Sequence, residues 1–232
     1  MKKMILGFAV LALLALPAVG QDKKEEDRVE KAGSVIKEIM DIPDDVPQDV
    51  IDRADCVVVL PSVLKFALGI GGSYGRGVMT CRGGTNFHGP WSAPTMMALE
   101  GGSFGLQLGG QATDFVLLLM SAKSASSILE SKVKLGGDVS AAAGPVGRNV
   151  SAETDVSLRA EILSYSRARG LFAGISLAGS TLRPDNDANK KLYGKEVSAK
   201  DIVFGKAVPA PKSASVLLAT LTKKSPKNTS KN

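Results

Sequence analysis

Glycine interrupts two stretches that would otherwise read as β-strand: residues 66–80 (FALGIGGSYGRGVMT) and 101–110 (GGSFGLQLGG). Inside a strand, glycine marks a bulge, a sharp bend or a close approach of another backbone. A sheet built from such segments has to curve strongly. Glycine accounts for 25 of 232 residues and shows no three-residue period, so the excess belongs to bends and not to a collagen-like helix. Further strand signals fall at 56–60 (CVVVL, stopped by Pro61), 95–99 and 103–108 around a Gly101-Gly102 turn, and 115–120 (FVLLLM). Others fall at 132–143, and at 160–167 with 171–182 as a pair turning near Gly170. They follow one another through short glycine turns without a regular strand–helix–strand rhythm, which disfavours a doubly wound parallel sheet. The expected fold is α+β: one domain, with a mostly antiparallel, bent sheet or barrel-like core, short helices and an N-terminal amphipathic helix.

That helix is expected over residues 22–41. Val29, Ala32, Ile36 and Ile39 recur at helical spacing, Val35 and Met40 widen the stripe, and the far side is charged. Ile42-Pro43 ends it, because the residue before proline is pushed out of helical geometry. Such a stripe either docks on the protein's own core or lies on a membrane; in the second case Val29, Ile36, Ile39 and Met40 are the contact residues. The acidic polar face argues against tight binding to anionic lipid. Short helices are also expected at 46–54, at 124–131 with Ser124 or Ser127 as N-cap, at 187–193 capped by Asp185 or Asp187, and at 198–204.

The first twenty residues read as a secretory signal peptide. Lys2 and Lys3 precede a twelve-residue apolar stretch, and Ala18-Val19-Gly20 offers small residues for cleavage after Gly20. The expected location is therefore periplasmic or secreted. Residues 21–206 form the expected domain, and 207–232, rich in Pro, Ser and Lys, a disordered basic tail. Charge divides unevenly. The whole chain carries +6, yet residues 21–55 hold six basic and twelve acidic groups, and residues 56–232 carry +10. A basic body suits anionic head groups, nucleic acid or acidic polymers. Nucleic acid is disfavoured, because base stacking needs aromatic platforms and no basic run here is interleaved with aromatics. Cys56 and Cys81 suit a disulfide in an exported chain, but two buried thiols are the favoured reading.

No catalytic, metal or cofactor site emerges. Residues 69–77 lack the Lys-Ser or Lys-Thr of a phosphate-binding loop, and a dinucleotide pattern begun at Gly69 ends on Tyr74 where glycine is required. The backbone amides there, with Arg76 beside them, still suit a phosphate. One histidine, His88, and two cysteines are too few for structural zinc, and no nucleophile elbow accompanies His88. Arginine is more informative. Arg76, Arg82, Arg148, Arg167, Arg169 and Arg183 lie in or beside glycine-rich segments, where turns at one end of a sheet would gather them. Lys132 and Lys134 share a strand face.

Several ordered phrases resemble the SYLF (Ysc84) domain family: residues 71–77 (GGSYGRG), 91–94 (WSAP), 101–109 (GGSFGLQLG), 132–136 (KVKLG), 143–148 (AGPVGR) and 165–174 (YSRARGLFAG). The match spans roughly residues 29–204, in what resembles a bacterial secreted form. The resemblance implies a non-enzymatic, phosphatidylinositol-type lipid-binding module with no cofactor. Applied to this chain, it implies anionic phospholipid or a membrane surface as partner. Arg76, Arg148, Arg167, Arg169, Lys132 and Lys134 are the expected head-group contacts. Yeast-type relatives also bind actin and carry an SH3 domain. The absence of an SH3-like segment in these residues and the expected export weigh against actin. The alternative is an envelope structural or protein-interaction module without a lipid ligand.

Overall fold

The computed structural model describes residues 19–42, 46–146, 159–168 and 171–230. Its organising element is a two-stranded ribbon. Strand β1 (Cys56–Cys81) and strand β2 (Thr95–Leu119) pair antiparallel along their whole length, from Cys56 opposite Leu119 to Met79 opposite Thr95. The expected stops at Pro61 and at Gly101-Gly102 are not stops. Pro61 and Ser62 sit in a bulge between Leu60 and Val63, where a missing N–H is tolerated. Ser62 has φ 52, and its N–H donates to Asp114 Oδ1 at 2.8 Å. Gly101 and Gly102 pair with Ser73 and Gly72 in mid-ribbon. Glycine therefore bends continuous strands here instead of ending them.

The rest of the sheet is built onto the two ends of β2. Strand β3 (Val133–Lys134) pairs with β7 (Ser180–Pro184), and β7 pairs with residues 97–101 of β2. Strand β5 (Ile162–Ala168) pairs with residues 114–119, and β5 also carries β4 (Ala141–Ala143) in parallel and β6 (Leu171–Gly174) in antiparallel register. The result is a curled, mixed and mainly antiparallel sheet, a half-barrel within one α+β domain, as expected. The stretch expected as one strand over 132–143 is broken at Gly136, whose φ of 76 turns the chain.

Strand alternation separates two cores. Val58, Leu60, Val63, Met79, Leu99 and Leu117 fill the inside of the curl with helix α3 (Ala122–Glu130) and helix α5 (Ala199–Val203). Val57, Val59, Val78, Met96, Val116, Leu163 and Tyr165 form the other face, covered by α1 (Val19–Asp41), α2 (Gln48–Arg53), α4 (Asn186–Tyr193) and α6 (Ser215–Lys224). Caps fix the helix starts. Ser121, not Ser124 or Ser127, caps α3, its Oγ accepting from the Ser124 N–H at 3.2 Å. Asp185 and Ser198 cap α4 and α5 in the same way.

Three features close the curl. A Cβ at Gly77 would overlap the Val59 carbonyl oxygen and lie 2.7 Å from Leu60 Cα, so the two halves of β1 touch backbone to backbone. Asp55 O accepts from the Arg82 N–H at 2.9 Å. Cys56 and Cys81, one at each end of β1, form a disulfide with their Cα atoms 4.0 Å apart. This corrects the expectation of two free thiols: residue spacing carries no sign that a 26-residue strand returns to its own start.

The expected disordered tail is also corrected. Ala214, Leu217 and Leu221 are fully buried, and α6 packs on α1 where Gly33 lets it approach; a Cβ there would stand 2.9 Å from the Leu217 amide nitrogen. Beyond α6, Ser225 and Asn228 are buried, and Asn228 Nδ2 donates to Asp55 Oδ1 at 2.8 Å. The lysines gave the segment its disordered look, while three apolar residues one helical turn apart were enough to dock it. Leu217→Ala or Leu221→Ala is expected to cost about 2–5 kcal/mol in urea unfolding. Neutral substitutions would place the segment outside the cooperative unit.

Candidate functional site

The apolar stripe of α1 is a core face. Val29, Ile36 and Ile39 are at most 3% exposed and Met40 is half-buried. The docked reading of this helix is the observed one, and a membrane role for these four residues would require the helix to leave the sheet. One arginine ties it to the sheet. Near its C-terminus, Arg167 on β5 pairs with Glu38 of α1 and, at 2.5 Å, with Asp114, its cross-strand neighbour. Asp41 pairs with Lys37 of α1 and Lys224 of α6, and these contacts lower its pKa. The acidic N-terminal part is thus partly folded onto the basic body.

Ten residues earlier along α1, about 15 Å away, Arg28 meets a second cluster. Arg28 pairs with Glu25. Opposite it on β1, the Arg76 Nε–H lies 2.6 Å from Tyr74 Oη and 3.1 Å from Asp185 Oδ2. Asp185 is therefore shared between capping α4 and holding Arg76. Burial and the nearby Arg76 guanidinium lower the pKa of Arg28, opposed by Asp185 and Tyr74. The two guanidiniums thus face the same region, each beside a carboxylate: Glu25 for Arg28 and Asp185 for Arg76. Register extends the cluster across the sheet, since Arg76 lies opposite Ala98 and Ala98 opposite Arg183. Residues directly opposite share a face. Arg183 Nη2 donates to Glu100 Oε1 at 2.7 Å, which lowers the Glu100 pKa and raises that of Arg183, and Lys132 Nζ stands 3.6 Å from Glu100.

Between α1 and β1 this cluster opens into a groove of about 500 Å³, lined by Lys24, Asp27, Arg28 and Lys31 of the helix and by Pro61, Ser62, Leu64, Tyr74, Gly75 and Arg76 of the strand. Lys24 and Lys31 are exposed, and neither has an ion-pair partner among the described residues. Leu64 is 57% exposed and Tyr74 41%, so apolar surface borders the charges. The arrangement offers guanidinium and ammonium donors to an anion, with an apolar shelf beside them.

The expected contact residues are thus dispersed. Arg76 lines the groove from within a strand, not from a turn. Arg167 is committed to clamping α1 at the far end. Lys132 and Lys134 lie at the β3 edge of the same face, with Lys134 opposite Thr181. Arg82, also counted among the basic candidates, is buried under Trp91 at 4.4 Å and bonded to Ser225 and Ala54, which makes it structural. Arg148 and Arg169 lie outside the described residues. His88 is exposed in the loop between β1 and β2. No group of three or more potential metal ligands occurs among the described residues. The sequence reading missed Lys24, Arg28 and Lys31. Their i, i+4, i+7 spacing along one edge of the apolar stripe was the available signal, obscured by averaging the whole polar face as acidic.

Residues 100–224 match the Ysc84 family, described as "Las17-binding protein actin regulator". LAS seventeen-binding protein 3 of Saccharomyces cerevisiae is 37% identical over 169 residues, covering 72% of this chain and 36% of that protein. The SH3 domain-containing YSC84-like protein 1 of Homo sapiens is 31% identical over 203 residues, covering 84% of this chain and 58% of that protein. The chain therefore spans between about a third and three fifths of these relatives' lengths. An α+β half-barrel matched over these lengths, and carrying the ordered phrases described above, belongs to the Ysc84 (SYLF) family.

Proposed function

We propose that this chain is a non-enzymatic module that binds the phosphate of anionic phospholipid head groups in the groove between α1 and β1. The observation that carries this reading is the groove's lining: Arg28 of α1 and Arg76 of β1 face it together, flanked by Lys24 and Lys31, which have no ion-pair partner among the described residues. A phosphate between them accepts charge-assisted hydrogen bonds from these cations. Arg76 takes part through its guanidinium, while Lys132 and Lys134 add positive potential along the same face. The N-terminal leader and the net +10 of residues 56–232 are consistent with work at an envelope membrane outside the cytoplasm. The α1 stripe has no part in this mechanism, since it is already used in the core.

Sedimentation with phosphatidylglycerol-containing vesicles tests the reading. Binding is expected at low ionic strength, is expected to weaken steeply as salt rises past about 0.15 M, and is expected to be absent with phosphatidylcholine alone. Equal, salt-insensitive binding to both vesicles would refute it. A second reading rests on the relatives' names: a protein-interaction module, as in the Las17-binding proteins. Capture of a protein partner that survives Lys31→Glu, together with no retention on any vesicle, would favour it.

A further inference from the structure

Arg76 is held from one side only. Its Nε–H donates to Tyr74 Oη at 2.6 Å, and Asp185 Oδ2 stands 3.1 Å from the same nitrogen. The guanidinium also lies over the Tyr74 ring, with Cζ 5.9 Å from the ring centroid. Neither Nη1 nor Nη2 has a hydrogen-bond or ion-pair partner among the described residues, and Arg76 lines the groove. A guanidinium carries five N–H donors in a planar fork. One is used at the Nε end, so those on the two Nη groups are left for a ligand. Asp185 is itself firmly fixed. It is 4% exposed, its N–H donates to the Met96 carbonyl oxygen at 2.9 Å, and its Oδ1 accepts from the Ala188 N–H at 3.2 Å as the cap of α4. Its two oxygens have separate duties: Oδ1 starts the helix, and Oδ2 faces Arg76.

We infer that Asp185 and Tyr74 are positioning residues: they fix the Nε side of Arg76 so that its Nη1/Nη2 edge meets two oxygens of one phosphate. The inference rests on the head-group reading above and adds to it the residues that aim the groove's strand-side cation. Two parallel N–H donors match the two unesterified oxygens of a phosphodiester such as that of phosphatidylglycerol. An arginine already held in one geometry also loses less side-chain freedom when the ligand arrives. Asp185 is thus an acid that favours the binding of an anion. That makes positioning separable from bulk charge. Neutralising the carboxylate adds a positive unit beside the groove, which by charge alone tightens binding, while it also frees Arg76 to turn away, which weakens it.

The test is sedimentation of the full chain with phosphatidylglycerol vesicles at low ionic strength. Asparagine caps a helix as well as aspartate does, so Asp185→Asn is expected to keep Tm within about 3 °C of the parent. It is expected to bind about fivefold or more weakly, although charge alone would make it bind about fivefold more tightly. Asp187→Asn makes the same charge change in the first turn of α4, where Asp187 lines a separate groove with Glu196 and Asp201, and is expected to bind no more weakly than the parent. Tyr74→Phe keeps the exposed ring and removes only Oη, and a loss of about threefold is expected. In an Arg76→Ala background the effect of Asp185→Asn is expected to vanish, which a merely structural role would not produce. Asp185→Asn binding as tightly as the parent or more so, or a loss that persists without Arg76, would overturn the inference and leave the head-group reading intact. Should Asp185→Asn fail to fold, parental affinity in Tyr74→Phe would overturn it instead. No sedimentation of the parent would overturn both.

Discussion

Gly77→Ala is expected to cost at least about 3 kcal/mol and to unfold the domain at a temperature where the parent is fully folded. The added methyl would overlap the carbonyl oxygen of Val59, and its next neighbours are also backbone atoms of Val59 and Leu60. Neither rotamer change nor side-chain repacking can relieve a backbone clash of that kind. The strand halves would have to separate, opening the inner core of Val58, Leu60 and Met79 to water. At Gly75 the nearest atoms to an added Cβ belong to the Val63 side chain, Cγ2 at 2.4 Å, and because a side chain can shift where backbone cannot, Gly75→Ala is expected to be milder. Urea unfolding monitored by Trp91 fluorescence ranks the two. A Gly77→Ala variant within 1 kcal/mol of the parent would contradict the closed curl.

The second large effect concerns the disulfide. Cys56 and Cys81 are 25 residues apart, and cross-linking a loop of that length constrains the unfolded chain by about 3 kcal/mol. Replacing both with alanine is expected to remove about that much stability and to lower Tm by roughly 10 °C. Because Gly77, the Asp55–Arg82 backbone hydrogen bond and the inner core also hold the two ends of β1 together, the reduced protein is expected to keep its fold at low temperature. A change in Tm of less than 2 °C would show that the bridge does not constrain the ensemble.

Much of this architecture was legible in the residues. The α1 stripe, the Asp185 cap and the helix end before Pro43 follow from local rules, and α1 to α5 lie close to their expected spans, whereas α6 falls in the expected disordered tail. The strands were legible in kind but not in length. Pro61 and Gly101-Gly102 have the composition of strand ends, yet bulge geometry and glycine–glycine pairing carry the ribbon through them. Contacts distant in sequence were not legible: the Cys56–Cys81 bridge, the burial of Arg82 under Trp91, and the docking of α6 against Gly33. The same limit governed the site. The motif residues proved largely architectural: Gly75 and Gly77 permit the closure, Trp91 stacks on Arg82, Tyr165 fills the outer core, and Arg167 ties down α1. Sequence alone does not separate an arginine that meets a ligand from one that meets Glu38.

The groove's role is tested most directly by two variants with equal changes in net charge, compared on anionic vesicles. Lys24→Glu/Lys31→Glu reverses the groove. Lys123→Glu/Lys200→Glu places the same reversal on α3 and α5, which pack on the opposite side of the sheet. With about 1 kcal/mol per surface cation near anionic lipid, the groove variant is expected to bind at least about 30-fold more weakly. The remote variant should stay within about threefold of the parent. Equal losses in both variants would contradict a localised site and reduce the interaction to overall charge.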